Sequence, residues 1–163
     1  MKMRKKKRVV LKTRSAFSLV VLLLLWVSTA EPVARPQWIN LSISPSAISF
    51  PAADPDDQPV VRASNQMSLT ISLPQSRNWV LYLRAEGDLS SAQGVTIPIS
   101  NVSWVASPKP PLLDGILVAG KNIQLGSGQG RLYNGVLTFS FNNSWNYCAG
   151  TYNQIITFTA TQL

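Results

Sequence analysis

The runs "MSLTISL" (67–73) and "NWVLYLR" (78–84) decide the fold, because in both every second residue is apolar. The first puts Met67, Leu69, Ile71 and Leu73 on one face. The second puts Trp79, Leu81 and Leu83 on one face, with Val80 and Tyr82 on the other. Side chains alternate across a strand, so a period of two marks a sheet with one buried face. The same pattern returns in "VLTFSF" (136–141), which groups Leu137, Phe139 and Phe141. In "TYNQIITFTA" (151–160) it groups Tyr152, Ile156, Phe158 and Ala160. Further candidate strands are "WINLSIS" (38–44), "AISF" (47–50), "PVVRA" (59–63), "VTIPIS" (95–100), "VSWVA" (102–106), "GILVA" (115–119) and "NIQL" (122–125).

Segments rich in Pro, Gly, Asn and Asp separate these runs at short intervals: "PAADPDDQP", "LPQSRN", "AEGDLSSAQG", "SPKPPLLDG", "GSGQGRLYNG" and "NNSWNYCAG". Each reads as a turn or loop, and "GSGQGR" (126–131) as a Gly-rich hairpin connection. No stretch after residue 37 carries a 3.6-residue period long enough for a helix. Many short strands without a parallel βαβ signature predict an all-β, antiparallel β-sandwich of the Ig-like or pilin-like kind, a single domain over 38–163.

The formal charge of +8 divides unevenly. Eight of the fifteen basic residues are Lys2, Arg4, Lys5, Lys6, Lys7, Arg8, Lys12 and Arg14, while all seven acids lie after residue 30. The rest of the chain therefore holds 15 − 8 = 7 basic and 7 acidic residues, a net charge of zero. A neutral domain has no long-range field to draw in phosphate backbones, so no nucleic-acid partner is expected.

The basic segment to Arg14, the apolar core "AFSLVVLLLLWV" (16–27) and the small residues Ser28-Thr29-Ala30 have the layout of a Sec-type secretory signal peptide over 1–30, cut near Ala30. The apolar run from Phe17 to Val27 is 11 residues long, against the roughly 20 that a spanning helix needs. No stable membrane anchor is thus expected after cleavage. No Arg-Arg pair precedes the core and no cysteine follows it, which argues against twin-arginine export and a lipid anchor. "EPVARPQ" (31–37) reads as a short linker. The final strand is expected to be a full member of the sheet. With no apolar tail, stop-transfer run or wall-sorting sequence after it, surface retention would have to be non-covalent.

The absence of histidine removes Ser-His-Asp and Cys-His catalysis and His-based zinc sites. The remaining carboxylates, Asp54, Asp56, Asp57, Glu86, Asp88 and Asp114, have the spacing of loop residues. No catalytic residue, metal site or cofactor is expected. "DPDDQ" (54–58) lacks the turn glycine and closing Glu of a calcium loop and reads as a solvated connection. The single cysteine, Cys148, cannot form an internal disulfide and is expected to be a small buried hydrophobe. Trp79 and Trp104, flanked by alternating apolar residues, read as core. "NNSWNY" (142–147) has the composition of a sugar-binding platform, with Trp145 and Tyr147 beside hydrogen-bonding Asn side chains.

Two motifs carry a resemblance to a family. Trp79-Val80-Leu81 and the Gly150-Thr151-Tyr152 step into the last strand resemble bacterial WxL domains, secreted modules of Gram-positive cell surfaces. In that family a second Trp-x-Leu falls in the last strand, where this chain has Phe158-Thr159-Ala160, keeping an aromatic but neither Trp nor Leu. The resemblance implies non-covalent binding to peptidoglycan. The same Gly-Thr-Tyr step is similar, more distantly, to fimbrial and spore-coat-type subunits, which often rely on a disulfide.

The function expected is that of a secreted, non-enzymatic surface protein that associates non-covalently with the cell envelope, through a cell-wall polymer or other surface proteins. The candidate binding residues are Trp79, Leu81, Trp145, Tyr147, Gly150 and Tyr152. Two alternatives stand beside it. One is a pilus or coat subunit assembled by strand exchange, with residues 31–40 as the donor. The other is a carbohydrate-binding module.

Overall fold

Two strands far longer than the usual 5–6 residues or so form the backbone of the structure, a computed structural model that describes residues 38–163. They are β3 (Met67–Ala85) and β8 (Ile123–Asn142), of 19 and 20 residues. The expected signal peptide and linker lie outside the described residues. The other strands are β1 (Asn40–Ser44), β2 (Val60–Arg62), β4 (Leu89–Ser91), β5 (Thr96–Ile97), β6 (Val102–Ser107), β7 (Gly115–Ile116), β9 (Tyr152–Asn153) and β10 (Ile156–Gln162). Among the described residues there is no α-helix, only a 3-10 turn at Ile99–Asn101. The named strands pair antiparallel, in one seven-stranded and one three-stranded sheet.

β3 and β8 pair along most of their length, from Met67↔Leu137 to Leu83↔Ile123, and β3 changes its outer partner midway. β1 flanks β3 at Ser68–Ser72, and β10 flanks it at Trp79–Ala85. β6 flanks β8 at Val136–Phe141, and β2 takes up β8 at Ser140–Asn142, beyond the start of β3. The change on β3 coincides with a break in register between Ser72 and Arg77. There Leu73, Pro74, Gln75 and Ser76 stand opposite Arg131 alone, and residues 74–78 are exposed. A proline has no N–H for a ladder, and a bulge is where a paired strand tolerates one. "LPQSRN" is therefore a bulge inside one strand rather than a turn between two.

The expected hairpin at "GSGQGRLYNG" is likewise the middle of β8. Its glycines are needed for close approach. Trp79 faces Gly128 in register, and a Cβ on Gly128 would lie 2.8 Å from the indole Cζ2. A Cβ on Gly135 would lie 2.5 Å from Leu112 Cδ1. A second departure is "AISF", which forms no strand, although Ile48 and Phe50 pack against the core.

The inner positions read from the sequence hold. Met67, Leu69, Ile71, Leu73, Trp79, Leu81, Leu83, Trp104, Leu137 and Phe139 are buried in one cluster drawn from both halves of β3. The Trp79 and Tyr133 rings, 5.1 Å apart, join the two halves across the bulge. Loop 108–114 adds Leu112, which is fully buried. Asp114 fastens that loop. Its Oδ1 accepts the Ala106 N–H at 2.7 Å and its Oδ2 accepts from Lys109 Nζ, while Trp104 Nε1 donates to Leu113 O at 2.8 Å.

The Gly128→Ala substitution is expected to lower stability by about 1–3 kcal/mol, since the indole has no free volume to retreat into. Denaturant unfolding would register the loss, and an unchanged midpoint would refute the seating of Trp79. The Asp114 carboxyl is held below its ordinary value of 3.8, chiefly by the Lys109 hydrogen bond and then by the Ala106 N–H. A depressed carboxylate stabilises the fold above its unfolded pKa and loses that effect as pH falls through the folded value. The thermal midpoint of Asp114→Asn should thus lie below that of the natural chain at pH 7, the gap closing below about pH 4. A gap independent of pH would refute the staple. Tyr133 Oη is buried with no hydrogen-bond partner among the described residues. Removing an unsatisfied hydroxyl is near neutral or stabilising, so Tyr133→Phe should leave the midpoint unchanged or raise it.

Candidate binding groove

β8 leaves the core at Phe141 and Asn142, and the chain then turns through 143–151 before β9. This turn lies against the segment that follows β1, and hydrogen bonds tie the two together. Asn143 donates its backbone N–H to Pro59 O at 2.8 Å and its side-chain Nδ2 to Ala53 O at 2.9 Å. Trp145 Nε1 donates to Asp56 Oδ1 at 2.9 Å. Asp54 closes its own turn by accepting the Asp56 N–H on Oδ1 and the Gln58 N–H on its backbone oxygen. "DPDDQ" is thus a self-capped turn that holds the Trp145 indole. Among the described residues no three His, Cys, Asp or Glu side chains gather as metal ligands.

A ladder of aromatic rings runs inward from this junction. Tyr147 packs on Phe141 with centroids 6.3 Å apart, and Phe141 on Phe50 at 6.0 Å. Tyr147 Oη accepts from Asn101 Nδ2 at 2.8 Å. Tyr152 Oη donates to Cys148 O at 2.9 Å, and its ring lies beside Gly150. Gln154 Nε2 donates to Asp88 O, anchoring the β9–β10 connection to the start of β4.

Between the two segments lies a partly enclosed groove of about 1080 Å³. Its floor is apolar: Ile43 from β1, Met67 from β3, Val102 from β6, Leu117, and Ile156 and Phe158 from β10. Its walls are residues 46–53 on one side and 143–155 on the other. Among the described residues no Asp, Glu, Lys or Arg lines it. The groove offers apolar surface under a polar rim, with no charge to bind an ion.

The six residues picked from the sequence divide into two groups. Trp145, Tyr147, Gly150 and Tyr152 all line the groove, with Trp145 67% exposed at its rim. Trp79 and Leu81 are 1% and 0% exposed in the core, away from the groove lining. They project from the same face of one strand, and burying that face is what closes the fold. Cys148, expected to be buried, is exposed. It sits in a loop whose inward contacts are made by Tyr147 and Tyr152. The floor residues Met67 and Phe158 read from the sequence only as strand positions. The wall at 46–53 was read as part strand, part breaker, and its prolines Pro45 and Pro51 were the available sign that it would leave the sheet.

Comparison with known protein families gives no match to the chain. Comparison with curated proteins likewise gives no relative.

Proposed function

We propose that the chain is an exported, non-enzymatic β-sandwich that associates non-covalently with the bacterial cell envelope. In this reading the two halves of β3 and β8 are facing layers, folded over at the bulge, with residues 1–30 removed on export. The observation that carries it is the groove with an exposed indole at its rim and no charged side chain in its lining. A neutral domain with such a groove suits an uncharged or mixed-charge polymer surface better than a phosphate backbone. The wall polymer and other surface proteins are the partners this implies.

A second reading, a subunit assembled by strand exchange, is favoured by β1, β7 and β10, each of which pairs with a single strand among the described residues. An unpaired edge accepts a strand from another chain. The expected donor, 31–40, overlaps the chain's own sheet at Asn40, the first residue of β1. Its free portion is therefore shorter than the sequence suggested. A carbohydrate-binding module would use Trp145 in the same way as the first reading, with a soluble glycan as target.

Purified mature protein should sediment with isolated sacculi, and Trp145→Ala should weaken that binding by about tenfold, the effect of losing roughly 1.4 kcal/mol at an aromatic anchor. Failure to sediment where a known wall binder does would end the envelope-binding reading. Loss on addition of soluble glycan would move it to the carbohydrate module.

A further inference from the structure

We infer that the apolar floor of the groove binds the hydrocarbon chain of an uncharged amphiphile, a step beyond the envelope reading, which uses the exposed Trp145 at the rim. Three observations combine. The space of about 1080 Å³ lies at the upper end of the roughly 300–1000 Å³ typical of small-molecule sites. Its floor carries side chains such as Met67, Leu117 and Phe158, and no charged residue touches it. Most of the larger polar side chains around it, Asn153 apart, are already engaged within the chain: Asn143 with Ala53, Trp145 with Asp56, Tyr147 with Asn101, Tyr152 with Cys148 and Gln154 with Asp88.

The last point chooses the ligand class. A sugar drawn down to the floor, as opposed to one stacked on the exposed Trp145, would need hydrogen bonds that the lining has largely committed elsewhere, and an ionised head group there would be desolvated without a partner. An extended peptide strand needs a row of free backbone groups, whereas β1 lines the groove with Ile43 and β10 with Ile156 and Phe158 alone. A hydrocarbon chain asks only for apolar surface, and each methylene it buries adds to its affinity. An uncharged head group resting at the rim would stay hydrated.

The test uses N-phenyl-1-naphthylamine, a neutral apolar fluorophore, with the mature protein, and 1-monoolein as competitor. Saturable, one-site fluorescence enhancement that monoolein displaces is the expected result. Ala149 is exposed and lines the groove. Ala149→Asp should put a carboxylate against the guest without touching the core and weaken both probe and monoolein by about tenfold or more. Ala52→Trp, on the opposite wall, should do the same by filling the space. Both variants should keep the unfolding midpoint of the natural chain, and probe binding is read without sacculi, so that failure of this inference leaves the sedimentation result standing. The inference is overturned by the absence of saturable enhancement, by enhancement that neither variant changes, or by displacement with a neutral chitin oligosaccharide as readily as with monoolein.

Discussion

The structure depends on the contact between Trp79 and β8. An indole is the largest side chain the core must hold, and the neighbouring strand yields space only by having no side chain at Gly128. Tyr133 then closes over the same ring from the other half of the ribbon. With one cysteine in the chain, no internal disulfide can hold the two halves of β3 together. Packing across the bulge has to do so, and that packing centres on one tryptophan. The other buried indole follows the same rule, since Trp104 pairs in register with Gly115, where a Cβ would come within 2.5 Å of the ring.

With the register of β3 and β8 broken at residues 73–76, the outer strands have little freedom. β1 and β10 occupy successive stretches of one edge of β3. The chain must then bridge from β1 to β2 and from β8 to β9 around the apolar end of the core. Those two bridges are the walls of the groove. Its position is a consequence of sheet topology, and its neutrality is a consequence of which residues the bridges carry. Asp54, Asp56 and Asp88, acids beside its lining, engage their carboxylates with a turn, the Trp145 indole and the Ile99 N–H.

The strands were legible wherever a period of two was uninterrupted, as at 67–73, 79–85 and 136–141, and the inner faces followed from the same signal. What could not be read was continuity. Pro74 and the glycines at 126–135 are turn-formers by local preference, yet here the first marks a bulge, Gly128 makes room for Trp79, and Gly126 and Gly135 make room for Leu112. Local chemistry names the residue that permits a turn, and only packing decides whether the turn is taken. The site shows the same division. Trp145 and Tyr147 stand out in the sequence as aromatics in an Asn-rich polar loop, and Gly150 and Tyr152 as the Gly-Thr-Tyr step into the last strand; all four line the groove. Trp79 and Leu81 were grouped with them by a motif, whereas their alternation with Leu83 already pointed to the core. The wall at 46–53 and the floor at Met67 and Phe158 come from opposite ends of the chain, and no local pattern links them.

Secretion, a non-covalent hold on the envelope and an uncharged groove make one account, and its central claim concerns where the protein resides. Fractionating the producing cells, with each fraction run boiled and unboiled on a denaturing gel, tests that claim most directly. The account predicts a mature chain lacking residues 1–30 that pellets with the wall, elutes with denaturant and runs as a monomer after boiling. Full-length chain, or mature monomer confined to the culture medium, would contradict it.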